Sequence, residues 1–277
     1  MITFFTIPKP FAACTSTLQR NAIGSWTRVE PDAQVLLLGD EEGTAEAAAD
    51  LGVEHVPQLG RNEHGTPLLN EAFRIARERA GNSLLCYVNT DIVLPQSLAR
   101  AAMIVSARRE RFLVVGECWN ARIETALDPD GLDWDGLRDG AHKRGADAMD
   151  YFLFSHGVYE EIPPFAVGRM VFDNWLIWKA REMRATVVDA TWVVRPLHQV
   201  HAYGHAGSLA ELRAGPEAAE NRRLAGGGRE RLYSRFDATH RLTPRGLVPN
   251  PLALGHAGET VRRAWAKLGY TVGFRHA

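Results

Sequence analysis

The sequence predicts an α/β protein with a mostly parallel sheet that is covered by helices on both faces. Short apolar runs with the composition of buried strands alternate with segments that favour helices. The run at residues 84–88 is apolar throughout, as expected for a strand buried on both faces of a parallel sheet. The 277 residues are 45% hydrophobic, which is enough for one large domain with a sizeable core.

Each element of the first half follows from a local signal. Strands are predicted where β-branched, aromatic or leucine-rich runs stop at turn residues. These runs are residues 2–7, 34–38, 53–56, 83–88 and 112–116. Helices are predicted between these runs from Ala-rich composition or apolar residues at helical spacing. These segments are residues 16–29, 44–51, 66–80 and 96–109. Thr44 and Thr66 are the expected N-caps of their helices.

The alternation is interrupted by an acidic, turn-rich segment at residues 128–136. It is predicted to be a surface loop, either an inert insertion or a lid over a site, because long ordered loops are often functional. Predicted elements resume with a strand at 150–154, a helix at 172–184 and strand-like runs within 186–194. Beyond residue 207 the chain is polar and rich in Arg and Gly, and residues 258–277 predict a basic helix.

Composition narrows the classes of function. The net charge of −1 does not predict a nucleic-acid partner. The three cysteines have no CxxC spacing, which favours a reducing compartment without a disulfide framework. The first residues lack the basic and long apolar regions of a signal peptide, and no apolar run is long enough to span a bilayer. A soluble, cytoplasmic protein is therefore expected.

The triplet Asn89-Thr90-Asp91 directly follows the apolar run at 84–88. Ligands of open α/β sheets bind beyond the carboxyl ends of the strands. A carboxylate at that place suits a divalent cation that carries a substrate diphosphate. The alternative is that Asp91 only caps the helix that follows Pro95.

Asp173 lies in the first turn of the helix predicted over residues 172–184. The helix dipole stabilises an ionised carboxylate there, and such a group can accept a proton from an attacking hydroxyl. The alternative role is that of an N-terminal charge or cap.

His198, His201 and His205 lie within eight positions, just after Pro196. A single histidine is usually structural, whereas three so close together suggest metal, phosphate or proton traffic. The spacing is not HExxH, and a zinc site built from these residues alone lacks a fourth ligand. One histidine together with Asp91 suits Mn²⁺ better than Mg²⁺, because imidazole is the softer ligand.

The loop that contains Arg61 and Asn62 runs into the helix predicted over 66–80. A helix N-terminus attracts anions, and Arg61 adds positive charge, although a pure capping role is the alternative. Neither a Walker GxxxxGK[ST] motif nor a GxGxxG after the first strand is present, which argues against P-loop and dinucleotide enzymes.

Together these segments resemble GT-A-type glycosyltransferases, the nucleotide-diphospho-sugar transferases, over roughly residues 2–205. The resemblance implies a GT-A-like, Rossmann-type, mostly parallel sheet flanked by helices. It implies a nucleotide-sugar-binding and catalytic domain at residues 1–206, followed by a polar C-terminal extension at 207–277 that packs on the same domain.

The resemblance also assigns roles to residues. The nucleotide-sugar-binding set is Thr6, Pro8, Asp40, Glu41, Arg61, Asn62, Asn89, Thr90 and Asp91. Asp173 corresponds to the catalytic base of inverting members. The triplet stands where the family carries Asp-x-Asp, so Asn89 leaves one negative charge missing from the metal shell. The metal ligands implied are Asp91, His201 and His205, and the choice among the three histidines stays open.

The function implied is transfer of a sugar from a nucleotide-diphospho-sugar donor to an acceptor, with a divalent metal, Mn²⁺ in preference to Mg²⁺. The acceptor is a saccharide, a lipid-linked carrier or a small molecule. The alternatives are a sugar nucleotidyltransferase, a non-catalytic nucleotide- or sugar-binding module and a histidine-based metal hydrolase. The residues do not identify the donor sugar, the base, the stereochemical outcome or the oligomeric state.

Overall fold

A computed structural model describes residues 1–128, 133–145, 149–200 and 214–253 of the chain. The strands are β1 (Ile2–Thr6), β2 (Gln34–Leu38), β3 (Glu54–Val56), β4 (Leu84–Val88), β5 (Ile92–Val93), β6 (Phe112–Val115), β7 (Trp119–Ala121), β8 (His142–Lys143), β9 (Tyr151–Ser155), β10 (Thr186–Asp189), β11 (Leu197–Gln199), β12 (His240–Thr243) and β13 (Gly246–Pro249). The α-helices are α1 (Ala13–Trp26), α2 (Thr44–Leu51), α3 (Leu69–Arg79), α4 (Ser97–Ser106), α5 (Trp134–Arg138), α6 (Phe172–Glu182) and α7 (Pro216–Leu224).

A nine-stranded sheet runs through the molecule in the order β13-β12-β10-β6-β9-β4-β1-β2-β3. The neighbours β3, β2, β1 and β4 are parallel, and so are β6, β10 and β12. β9 is antiparallel to both of its neighbours, and β13 is antiparallel to β12. The predicted α/β class with a mostly parallel sheet is confirmed.

Helices pack on both faces of this sheet, because successive strand residues point to opposite sides. Phe5 faces the side covered by α3 and α6, where its ring lies 5.0 Å from that of Phe73. Phe4 faces the side covered by α1 and α4, where its ring lies 6.3 Å from that of Trp26. All four side chains are buried. Burial on both faces explains why the strands are apolar runs.

A second sheet of four short strands, in the order β5-β11-β7-β8, was not predicted from the sequence. β5 begins directly after Asp91, so this sheet lies at the carboxyl end of β4. β11 pairs antiparallel with β5 and parallel with β7. The small sheet therefore brings four segments that are far apart in sequence together beside the triplet.

Two predicted helix caps are wrong. α2 is preceded by Gly43 in a left-handed conformation, and Thr44 is already its first residue. α3 begins at Leu69 rather than at residue 66, because Pro67 and Leu68 form β-bridges with Arg61 and Ala166.

Among the described residues, the longest helix has 14 residues, and none has the length and apolar character to cross a membrane.

Part of the predicted C-terminal extension belongs to the main sheet. β12 pairs with β10, and β13 forms the sheet edge. The division at residue 206 stays a prediction, and the basic helix expected over 258–277 lies outside the described residues. α7 packs against residues 166–170 through Asn221, which is 1% exposed.

The Asn221 side chain is expected to be important for stability. Its Oδ1 accepts from the Ala166 N–H at 2.9 Å, and its Nδ2 donates to the Ala166 carbonyl at 3.0 Å. Asn221→Ala leaves both backbone groups buried without these partners, so we expect a loss of about 2–4 kcal/mol in the free energy of unfolding. Urea denaturation measures this change. The control is Glu220→Ala, which removes only an exposed ion pair with Arg223 and should change stability little.

Candidate active site

Polar residues collect at one edge of the main sheet, where its parallel strands end. Asp40 and Glu41 follow β2, Pro8 and Lys9 follow β1, and the triplet 89–91 follows β4. Because the carboxyl ends of parallel strands lie next to one another, these residues are neighbours at that end of the sheet. The antiparallel strand β9 begins at the same edge, which adds residues from a later part of the chain.

Asp91 lies beside His198. The register of the small sheet places His198 opposite Ile92, and the His198 Nε2 lies 3.7 Å from the Asp91 Oδ2. The Asp91 side chain is 16% exposed and that of His198 is 8% exposed. A carboxylate and an imidazole that are partly buried at this spacing can share a cation or a proton.

Asn120 determines which nitrogen of His198 faces Asp91. β7 and β11 are parallel neighbours with Asn120 opposite His198, and the His198 Nδ1 lies 2.9 Å from the Asn120 Oδ1. An amide oxygen only accepts hydrogen bonds, so Nδ1 carries the hydrogen of the neutral ring. The Nε2 of this tautomer then faces Asp91 as the nitrogen without hydrogen, which is the form in which an imidazole binds a metal.

The backbone of Asp91 is held by Gln199, which is fully buried. The Gln199 N–H donates to the Asp91 carbonyl at 3.0 Å. The Gln199 Nε2 donates to the Leu18 carbonyl at 2.8 Å, and its Oε1 accepts from the Asn21 Nδ2 at 3.0 Å. These bonds connect α1, β11 and the triplet, so the position of Asp91 is determined by buried groups.

Lys9 is a site residue that was missed from the sequence. Its Nζ lies 4.0 Å from the Asp91 Oδ2, and about half of the side chain is exposed. Gln19 orients this segment, because it accepts from the Lys9 N–H at 2.8 Å and donates to the Lys9 carbonyl at 2.9 Å. The sequence signal that could have identified Lys9 is a lysine between two prolines shortly after β1. Its neighbours Thr6 and Pro8 are buried at the end of the strand.

Asn89 is bound to Asp150, a second residue that was missed. The Asn89 Nδ2 donates to the Asp150 Oδ1 at 3.0 Å, and the Asn89 N–H donates to the Asp150 carbonyl at 3.0 Å. Burial raises the pKa of the Asp150 carboxyl group, although the nearby Arg144 opposes this shift. Thr90, the middle residue of the triplet, is 5% exposed.

Asp40, Glu41 and Arg61 are brought together at the end of β2. One guanidinium nitrogen of Arg61, Nη2, lies 2.8 Å from both the Asp40 Oδ1 and the Glu41 Oε1. Hydrogen bonding to Arg61 lowers the pKa of the Asp40 carboxyl group. A cleft of about 580 Å³ opens here, lined by Asp40, Pro57, Gln58, Leu59, Gly60, Arg61, Glu71 and Arg74.

Asn62 shapes the loop that follows Arg61. Its Oδ1 accepts from the backbone N–H groups of His64 and Thr66 at 2.9 Å each, and its Nδ2 donates to the Glu217 Oε1 at 2.6 Å. Burial opposes ionisation of Glu217, but hydrogen bonds from Thr66, Asn62 and Arg169 outweigh it and lower its pKa. The loop is thereby joined to α7.

Asp173 is the second residue of α6 and lies in the same region as the triplet. Burial raises the pKa of the Tyr87 phenol, and the negative charges of Asp173, Asp91 and Asp150 raise it further. The ring of Phe172, the residue before Asp173, lies 6.3 Å from that of Tyr87, so the start of α6 lies near the end of β4. Val171, just before α6, has φ 84°, a conformation that is costly for a β-branched residue and that often occurs at functional sites.

Two of the predicted metal ligands, His201 and His205, lie outside the described residues. In the part of the chain that the structure describes, no group of three His, Cys, Asp or Glu side chains is arranged to hold a metal ion. The structure brings Asp91 together with His198, the first histidine of the predicted cluster.

Comparison with known proteins identifies the fold. No family model and no curated protein matches this sequence. The structure is similar to glucosyl-3-phosphoglycerate synthase from Mycobacterium tuberculosis, with 15% identity over 84% of this chain and 80% of that chain and a TM-score of 0.50. The same synthase in complex with Mn²⁺, uridine-diphosphate-glucose and phosphoglyceric acid gives 13% identity over 81% of this chain and 78% of that chain, with a TM-score of 0.50.

A third similar structure is that of GalNAc-T7 with UDP, GalNAc and Mn²⁺. It is 16% identical over 81% of this chain and 48% of that chain, with a TM-score of 0.53. At such identities the similarity concerns the fold. The chain has the GT-A-type fold that its sequence predicts.

Proposed function

We propose that this protein is a glycosyltransferase that moves a sugar from a nucleotide-diphospho-sugar to an acceptor hydroxyl with the help of a divalent cation. The observation that carries the proposal is the pair of Asp91 and His198, 3.7 Å apart at the carboxyl end of β4. The similarity of fold to a synthase whose structure contains Mn²⁺ and a uridine-diphospho-sugar supports it.

The donor set fits a divalent cation that is completed by substrate. Asp91 offers a hard oxygen and His198 an imidazole nitrogen, and cations of this kind usually keep the other positions for water and phosphate oxygens. The imidazole favours Mn²⁺ over Mg²⁺. When bound, the cation would neutralise the diphosphate leaving group. His201 and His205 stay proposed as further ligands.

The nucleotide-sugar is proposed to lie across the carboxyl ends of β2, β1 and β4. Asp40, Glu41 and Arg61 would contact the base or ribose, because they line or flank the cleft at the end of β2. Lys9 would face the diphosphate, because its ammonium lies beside Asp91. Further contacts with the nucleotide-sugar are assigned to Thr6, Pro8, Asn62, Asn89 and Thr90. The buried residues among them would shape the site.

Asp173 is proposed as the general base of an inverting transfer. The acceptor oxygen bonds to the anomeric carbon, the bond from that carbon to the phosphate oxygen breaks, and the hydroxyl proton passes to Asp173. A nucleoside diphosphate leaves. In a retaining reaction, Asp173 would instead position the acceptor or stabilise developing positive charge. The acceptor is a saccharide, a lipid-linked carrier or a small molecule, and a cytoplasmic location belongs to the same proposal.

Ligand screening followed by product analysis tests this function. UDP, GDP and ADP are screened by thermal shift with and without Mn²⁺, because a tight ligand raises apparent stability by mass action. Donor sugars are then tested with candidate acceptors, including phosphoglyceric acid, which is bound in the M. tuberculosis synthase structure. Release of free nucleoside diphosphate supports the transferase. Pyrophosphate release would indicate the nucleotidyltransferase, and binding without turnover the non-catalytic module.

Asn120 is expected to control metal affinity through His198. Asn120→Ala removes the acceptor for the Nδ1 hydrogen, so the ring can turn and its Nε2 no longer faces Asp91 reliably. Loss of such an outer partner typically weakens metal binding about 10- to 100-fold. Calorimetric titration with Mn²⁺ in the presence of UDP measures the effect. Asn82→Ala is the control, because Asn82 binds the Ile2 carbonyl at the opposite edge of the sheet. Equal Mn²⁺ affinity in both variants would contradict the role of Asn120.

A further inference from the structure

The end of β4 lacks a carboxylate that the family pattern leads one to expect, and a neighbouring strand supplies one at the same place. We infer that Asp150 replaces the missing carboxylate at position 89 and acts on the cation and diphosphate through Asn89. This inference depends on the proposed function, because it concerns how that same site holds its cation.

The pairing of β4 and β9 places the two residues together. The two strands are antiparallel, with Val88 opposite Tyr151, so Asn89 and Asp150 occupy the next matched position. The Asn89 N–H bonds to the Asp150 carbonyl, and the Asn89 amide bonds to the Asp150 carboxylate, both at 3.0 Å. A carboxylate at position 150 is therefore one hydrogen bond away from where the family pattern has its first Asp.

Asp150 is held firmly and is 8% exposed. Its Oδ2 lies 2.8 Å from the Arg144 Nη1, and the Cys118 thiol also donates to the carboxylate. Asp150 binds Asn89, which is two residues from Asp91 in the chain. A cation held by Asp91 would therefore also be attracted by the charge of the Asp150 carboxylate. Asp150 therefore adds to the negative potential around Asp91.

The hydrogen bond also determines how Asn89 is turned. Its nitrogen is committed to Asp150, so the oxygen on the other arm of the planar amide is directed away from Asp150. Donation to a carboxylate polarises the amide and makes that oxygen a better acceptor. A neutral, polarised amide oxygen is a suitable ligand for a hard cation. Asp150 is thus a positioning residue, and Asn89 is the group that it presents.

An exchange of the two side chains tests this assignment. Asn89→Asp combined with Asp150→Asn keeps one amide, one carboxylate and the bond between them, and moves the carboxylate to position 89. Asp150→Asn alone leaves two amides. Affinity for Mn²⁺ in the presence of UDP is measured by calorimetry, and thermal unfolding is recorded for every variant. Asp50→Asn is the control, because it breaks another Asp–Arg pair, with Arg20, on the surface of α2.

Asp150→Asn is expected to weaken Mn²⁺ affinity about tenfold or more, as loss of an outer partner of a metal ligand does. The exchange variant is expected to restore the affinity to within about threefold of that of the original protein. Unchanged affinity in Asp150→Asn overturns the inference. The inference is also overturned if the exchange variant unfolds at the original temperature but still binds Mn²⁺ weakly. The only role of Asp150 would then be its ion pair with Arg144.

Two further outcomes are informative. If Asp150→Asn does not fold, the exchange variant and Asn89→Ala test the inference instead. Asn89→Ala leaves the Asp150–Arg144 pair intact and should still weaken Mn²⁺ binding. A protein that binds no Mn²⁺ in its original form overturns this inference, while release of nucleoside diphosphate from a donor would still support the transferase.

Discussion

Asp173→Asn is expected to lower turnover by about 10²- to 10⁴-fold, because an amide cannot accept the proton of the acceptor hydroxyl. Asp173 lies at the start of α6, where the ring of its neighbour Phe172 is 6.3 Å from that of Tyr87. The dipole of a helix stabilises the ionised form of a carboxylate in its first turn, and this is the form that can accept a proton. Steady-state kinetics with saturating donor and acceptor measure the loss.

The donor should still bind to Asp173→Asn, because this residue is assigned to the acceptor side. Thermal shift with UDP and Mn²⁺ is therefore expected to match that of the original protein. Glu182→Gln, at the exposed end of the same helix, is the matched control and should keep normal turnover. Turnover within a few-fold of normal in Asp173→Asn would exclude the role of general base.

Asp91→Asn is expected to abolish the effect of Mn²⁺ on donor binding and to reduce turnover by about 10²- to 10³-fold, since a bound cation is worth several kcal/mol in the transition state. The substitution keeps the shape of the side chain but removes the charge that faces the His198 Nε2 at 3.7 Å. Mn²⁺ titration in the presence of UDP is the direct measurement.

Removal of metal provides an internal check on this result. EDTA should lower donor binding by the original protein to the level of Asp91→Asn, and should change that variant little further. His198→Ala should behave like Asp91→Asn, because both side chains are assigned to one cation. If Asp91→Asn retains the original Mn²⁺ affinity, the cation site lies elsewhere and the proposed metal assignment fails.

Sequence patterns predicted the strands and helices of the first half well, because each is a local signal. β2 and α2 have the predicted bounds, and β4 ends immediately before the triplet. The caps were predicted less well. Thr66 does not cap α3, because Pro67 and Leu68 instead form isolated β-bridges with Arg61 and Ala166. Long-range pairing therefore displaced a local preference there.

The small sheet could not be predicted, because its strands are two or three residues long and carry no usable periodicity. Lys9 and Asp150 were missed for a related reason. Each is unremarkable within its own segment, and its role follows from a neighbour contributed by another strand. Likewise, β12 and β13 were not predicted within the polar segment after residue 207, although that segment was expected to pack on the same domain.

The sequence by itself determined the alternation of strands and helices and the presence of a carboxylate at the end of a buried strand, because apolar periodicity is a property of each segment alone. Only the tertiary structure decided which side chains meet that carboxylate. Pairing of β5 with β11 brought His198 to Asp91, and pairing of β4 with β9 brought Asp150 to Asn89. Strand register is a property of two segments together, so the composition of the site depends on the folded sheet.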